Sequence, residues 1–82
     1  MEITKNYIQN ITKENILKYG NMNEFYEEVL DKILKNATHG LTHYLIYKDD
    51  FKEEYIYHLL LKLLQLDGYN ITTFENFTDV GW

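Results

Sequence analysis

The chain has 82 residues, 45 % of them hydrophobic and 16 % aromatic, with a net charge of −5. That length allows one domain with a narrow stability margin, and the composition is that of a globular chain, which excludes a disordered one. Cysteine is absent, so neither a disulfide framework nor a cysteine-bound zinc can supplement the core.

Thirteen acids face eight lysines, and there is no arginine. Arginine is the usual fork for phosphate and guanine, and the lysines are scattered, so specific nucleic-acid binding is not expected. The start, Met1-Glu2-Ile3-Thr4-Lys5, lacks the basic residues and apolar run of a secretion signal. No apolar run approaches the roughly 20 residues that span a bilayer. The expectation is a soluble intracellular protein with no membrane partner.

Residues 1–11 carry Ile3, Tyr7, Ile8 and Ile11 at spacings that fit a helical stripe, but no clear cap, so helix and irregular chain both stay open. Thr12 can cap a short helix from Lys13 to Tyr19, which Gly20 would stop. Asn21, with Glu24 after it, predicts the start of a longer helix. Met22, Phe25, Tyr26, Val29, Leu30, Ile33, Leu34 and Ala37 then share one face, with Glu24, Glu27, Glu28 and Asp31 opposite. Gly40 closes this helix.

From Leu41 to Lys48 the helical period is lost and the residues are aromatic and β-branched. A strand is expected, with Leu41, His43, Leu45 and Tyr47 on one side and Thr42, Tyr44 and Ile46 on the other. Both sides are largely apolar, which suits a strand covered on both faces. Asp50 and Glu53 form a capping-box pattern for the next helix, which Gly68 stops, leaving Tyr69 to fold back on Leu64. Its apolar side chains sweep an arc of about 240°, too wide for a helix covered on one side only. Tyr69 to Phe74 reads as a second strand by β-propensity. After the turn at Glu75 and Asn76, Thr78 to Trp82 can return as a third.

These elements predict one α+β domain over residues 1–82, ordered α-α-β-α-β-β, with the helices on one face of a three-stranded mixed sheet. A right-handed crossover makes the first two strands parallel. The last strand runs antiparallel, either at an edge or between the other two.

No constellation for catalysis emerges. His39 and His43 have the spacing of a helical ligand pair, but Gly40 falls between them. His58 stands alone. Asp49, Asp50, Glu53 and Glu54 read as cap and first-turn residues, and the glycines as helix stops, so neither an enzyme nor a cofactor is expected. Two features point to a protein partner. One is the acidic stripe Glu24, Glu27, Glu28 and Asp31, whose plainer reading is a solvated helix face. The other is Tyr44, Tyr47, Tyr55 and Tyr57, which flank one strand-to-helix turn, with Leu61 at the far margin of the apolar arc. Tyrosine brings contact area at low entropy cost, although it can equally fill a small core.

Ala37-Thr38-His39-Gly40, a strand, a long helix closing on Leu66-Asp67-Gly68-Tyr69, a second strand and a last tryptophan together resemble short orphan proteins of bacteriophages and large DNA viruses. The resemblance covers residues 37–82. Those proteins usually end in a hydrophobic-Ser-Trp strand, where this chain has Val80-Gly81-Trp82. It implies a virus-encoded accessory protein; taken with the acidic charge, the tyrosines and the absence of a catalytic constellation, the expectation is a protein of the host cytoplasm that binds and blocks a host protein, a defence component being the candidate target, with a homo-oligomer also open. The other class open is a structural component of a virus particle or a self-associating scaffold.

Overall fold

The computed structural model describes residues 3–82; Met1 and Glu2, where the open reading of residues 1–11 begins, lie outside them. Three helices and three strands follow in the order α1 (Lys5–Leu17), α2 (Met22–Thr38), β1 (His43–Tyr47), α3 (Glu54–Leu66), β2 (Asn70–Thr73) and β3 (Phe77–Gly81). A single 3₁₀ turn, Lys48–Asp50, leads out of β1.

Helix α1 is longer than the Lys13–Tyr19 segment expected, and starts earlier. Thr4 is its cap, taking the Tyr7 N–H on Oγ1 at 3.2 Å. Thr12, the expected cap, sits mid-helix and gives its hydroxyl to the Ile8 carbonyl at 3.1 Å. A threonine that bonds back one turn does not stop a helix. Helix α2 buries Met22, Tyr26, Val29 and Ile33, the stripe its period predicts. Both α2 and α3 stop at a left-handed glycine, Gly40 at φ +80° and Gly68 at φ +97°. At Gly68 the N–H of Tyr69 reaches the Leu64 carbonyl and that of Gly68 reaches Gln65, each at 3.1 Å. This paired closure satisfies carbonyls that the helix end would leave free.

The start of α3 departs from its local signal. Asp50 belongs to the 3₁₀ turn, Glu53 is extended, and no capping side-chain bond forms. The Phe51 ring explains the delay. It sits between Phe25 and Tyr57, with centroids 5.3 and 5.4 Å away, and that insertion holds residues 51–53 out of the helix. Aromatic pairs of this kind, one edge-on and one tilted, contribute about 0.5–1.5 kcal/mol each beyond their burial, comparable to the roughly 1 kcal/mol of a cap. Lys48 and Glu54 bridge the gap at 2.7 Å, which raises the lysine pKa and lowers that of the carboxylate.

The last strand takes the inserted of its two expected places: the order is β1-β3-β2, with β1 and β2 running the same way, but both ladders are antiparallel, which corrects the expected mixed sheet. Because β3 lies between β1 and β2, the two never exchange hydrogen bonds. Tyr44 and Ile71 flank Val80 on one side of the sheet, and Ile46 and Thr73 flank Thr78. Val80 and Thr78 are fully buried there, and the Tyr57 hydroxyl of α3 hydrogen-bonds Thr78 Oγ1. The core joins these residues to Leu60, Leu63 and Leu64 of α3 and to the buried stripe of α2.

The three helices are tied together at the end of α3. Asp67 takes the Lys13 ammonium on Oδ1 at 2.6 Å and the Tyr26 hydroxyl on Oδ2. A carboxylate at a helix C-terminus opposes the dipole, and these two donors offset that. Burial first, and the hydrogen bond to Asp67 second, push the Tyr26 pKa well above the usual tyrosine range. The folded state therefore holds this proton more tightly than the unfolded chain, whose tyrosines titrate near about 10. The stabilisation is fully present below that pH and is lost as pH rises through the higher folded value. Urea midpoints are expected to fall above about pH 10 and to fall less steeply in Tyr26→Phe. Equal alkaline slopes for the two proteins would remove Tyr26 as the cause.

Candidate functional site

Alternation along β1 places Tyr44 and Ile46 inward, so His43, Leu45 and Tyr47 point to the other side of the sheet. That side carries no core residue of any helix. The reading of β1 as covered on both faces is therefore corrected: it is an edge strand with one open face. Register sets the neighbours across this face. Leu45, Asp79 and Thr72 form one row across the sheet and His43, Gly81 and Asn70 another, with the β3 residue in the middle of each, while Tyr47 stands beside Phe77.

Two surfaces result. At one end, Tyr47, Phe77 and Phe74 form a continuous aromatic row. The Tyr47 and Phe77 centroids are 5.9 Å apart, and Phe77 stacks on Phe74 at 4.8 Å with the planes 19° apart. The Phe74 N–H bonds the Phe77 carbonyl at 2.8 Å, so the β2–β3 turn brings the two phenylalanines together. Tyr47, Phe74 and the adjoining Leu45 are 49 %, 50 % and 41 % exposed.

At the other end is a polar hollow of about 140 Å³ lined by Thr42, His43, Asn70, Thr72, Asp79 and Trp82 around Gly81. Gly81 forms part of its lining, where a Cβ would stand in ordinary van der Waals contact, 3.4 Å from His43 Nδ1. His43 Nδ1 lies 2.9 Å from Asp79 Oδ1, which holds the ring and leaves Nε2 as its other polar atom. Among the described residues no group of three or more histidines and acids is arranged to hold a metal ion.

The candidate residues named from sequence separate in space. Tyr57 and Leu61 are 1 % and 8 % exposed and are withdrawn as contacts. The apolar arc of α3 is wide because it meets the sheet on one side and α2 on the other, so its far margin is core. Tyr44 is half-buried and inward. Tyr55 is exposed but pairs with Tyr19, edge to face with the hydroxyls 2.6 Å apart. The Glu53 carboxylate first, and Tyr19 second, raise its pKa. Only Tyr47 of the four tyrosines belongs to the open face. Glu24, Glu27, Glu28 and Asp31 are all exposed on α2. The two later acids share their surface with Lys32 and Lys35, which dilutes the stripe. His39 Nδ1 lies 2.8 Å from the Lys35 carbonyl at the end of α2, away from His43 and its Asp79 partner. His58 Nε2 is 3.5 Å from Glu54 one turn back.

Leu45, Phe74, Phe77 and Asp79 were not singled out by sequence reasoning. Their grouping depends on β3 lying between β1 and β2, and the local signal available was the alternation within each strand. No described helix is long and apolar enough to cross a membrane. No family model, curated protein or solved structure matches the chain.

Proposed function

We propose that this is a non-enzymatic, virus-encoded accessory protein that binds a host protein and blocks it by covering its surface. A host defence component in the cytoplasm is the target class, and the open sheet face is the contact. The observation that carries the reading is the row Tyr47, Phe77 and Phe74 with Leu45, in which Leu45, Tyr47 and Phe74 are exposed and Phe77 is half-buried between the other two rings. It takes both long helices to lie on the other side of the sheet, where Ile46, Thr78 and Val80 are buried. Contiguous apolar surface beyond a few hundred Å² is uncommon on monomers, and aromatic residues dominate interface cores. The polar end, with Asp79, Asn70 and Thr72, supplies a rim of donors and acceptors. The viral and host parts of the proposal rest on the resemblance over residues 37–82.

Exposed rings on a sheet can also stack nucleic-acid bases. Affinity for nucleic acid comes largely from neutralised phosphates, however, and this chain has net charge −5 and no arginine. Lys48, which follows Tyr47 directly, is engaged by Glu54. A protein surface is the better match.

The test is affinity capture from host lysate with three proteins: wild type, Tyr47→Ala/Phe74→Asp, and a variant with Glu24, Glu27, Glu28 and Asp31 changed to lysine. Wild type should retain one specific partner, the sheet-face variant should lose it, and the charge-reversal variant should keep it. Circular dichroism checks that each is folded. Loss only on charge reversal would move the contact to α2. Recovery in purified particles without a host partner would replace this reading with the structural-component class.

A further inference from the structure

The open sheet face has two chemically different ends, and the polar end specifies what it can receive. Its hollow is lined by Thr42, His43, Asn70, Thr72, Asp79 and Trp82 around Gly81. With the imidazole neutral, Asp79 carries the one formal charge in this lining, and no lysine takes part. Its Oδ1 is engaged by His43 Nδ1 at 2.9 Å, and its Oδ2 has no hydrogen-bond partner among the described residues. The Asp79 side chain is 32 % exposed, so its charge is screened less than that of the open acids of α2.

Free acceptors surround this carboxylate. When Nδ1–H of His43 donates to Asp79, Nε2 keeps a lone pair. The Asn70 amide oxygen and the Thr42 and Thr72 hydroxyls can accept as well. Trp82 adds an indole, the ring that attracts a cation most strongly. Size then narrows the occupant. Pockets that hold whole small molecules are about 300–1,000 Å³, whereas about 140 Å³ suits one side-chain head group of something larger. Position says what the larger molecule is. Along β3, Asp79 and Gly81 lie two and four residues beyond Phe77 of the aromatic row. At about 3.3 Å per residue the hollow therefore spans roughly 7–13 Å from the row, within reach of any protein that covers the rings.

We propose that the hollow receives the guanidinium of an arginine on the protein that the sheet face binds, with Asp79 holding its charge. This deepens the proposed function and rests on it for the partner being a protein. A guanidinium offers five N–H donors in a planar fork and no acceptor, which matches acceptors set around a carboxylate. An ammonium is a point charge with three donors. The target surface carries this arginine roughly 7–13 Å from the apolar group that meets Tyr47 and Phe74. The net charge of −5 steers encounter toward such a basic surface.

Nitrogen-15 NMR titration of the whole protein with N-acetyl-arginine methylamide tests this without the target. In wild type the probe should shift the Trp82 indole and the amides of Asn70, Thr72, Asp79 and Gly81, saturating in the millimolar range. The citrulline analogue, neutral and of nearly the same shape, should bind about tenfold more weakly or not at all, with the lysine analogue between them. Asp79→Asn keeps the side-chain size on a half-buried position, and circular dichroism checks its fold. It should weaken arginine binding about tenfold or more, because the acceptor loses its charge. Equal binding of arginine and citrulline would overturn the proposal, as would lysine binding as tight as arginine. So would a silent hollow through the millimolar range, or a titration that Asp79→Asn leaves unchanged. Target capture is read separately, through Tyr47→Ala/Phe74→Asp. A captured partner with no arginine response would strike this inference and leave the proposed function standing. An arginine response with no captured partner would strike the proposed function and leave the hollow as a guanidinium site.

Discussion

Leu63→Ala is expected to cost about 2–5 kcal/mol of unfolding free energy. Leu63 is fully buried, as are Leu60 and Leu64 beside it on α3. With side chains closed around it from the sheet and from α2, the site has little freedom to collapse, so the lost transfer energy and the residual cavity both count. Domains have about 5–15 kcal/mol of stability in total, and an 82-residue chain belongs toward the lower part of that range. The variant should therefore be largely unfolded at moderate urea concentrations where wild type is folded. Leu34→Ala is the control. It makes the same chemical change at an exposed position of α2 and should stay within about 0.5 kcal/mol of wild type. Similar urea midpoints for the two variants would mean that α3 is not the centre of the core.

A second large effect is expected at the one buried polar pair between α3 and the sheet. Tyr57 and Thr78 are both buried, and their hydroxyls hydrogen-bond each other. The Thr78 hydroxyl also lies 3.5 Å from that of Thr73, a weak second partner. Thr78→Val nearly preserves shape and removes the acceptor, leaving the Tyr57 hydroxyl buried without a partner. The cost should be about 1–3 kcal/mol. Tyr57→Phe leaves Thr78 with only its distant neighbour and should cost less, about 1 kcal/mol. When both hydroxyls are gone, no desolvated group is orphaned, so the double variant should be more stable than Thr78→Val alone. Urea unfolding of the four proteins gives the coupling energy directly. Strict additivity would show that the two hydroxyls do not depend on each other for their hydrogen bonds.

Both expectations concern the side of the sheet that the sequence left ambiguous. In β1 the two alternating sets, Tyr44 with Ile46 and Leu45 with Tyr47, are equally apolar, so period-two alternation defined two faces without ranking them. Burial of one set requires a neighbour, and β3 supplies it by running between β1 and β2. The same insertion made every ladder antiparallel and collected the open face from three strands. Of that face, Tyr47 was already a candidate through its tyrosine neighbours. Phe74 and Phe77 read only as strand and turn residues, because their stacking is made by a turn and their link to Tyr47 by a contact of thirty positions' separation. Tyr57 and Leu61 failed as contacts for the matching reason. A wide apolar arc on a helix reports how many sides are covered, and it does not say whether the cover comes from the same chain or a partner.

Local chemistry alone determined the stops of α2 and α3, their buried stripes and the three strand segments, because caps, left-handed glycines and hydrophobic period act over a few residues. Where α3 begins was decided by tertiary structure. Asp50 and Glu53 carry a sound capping pattern, yet the Phe51 ring between Phe25 and Tyr57 holds that stretch out of the helix. Strand order and the buried side of β1 were settled in the same way. Each depends on contacts between residues far apart in the chain, whose energies match or exceed the roughly 1 kcal/mol that a local signal contributes.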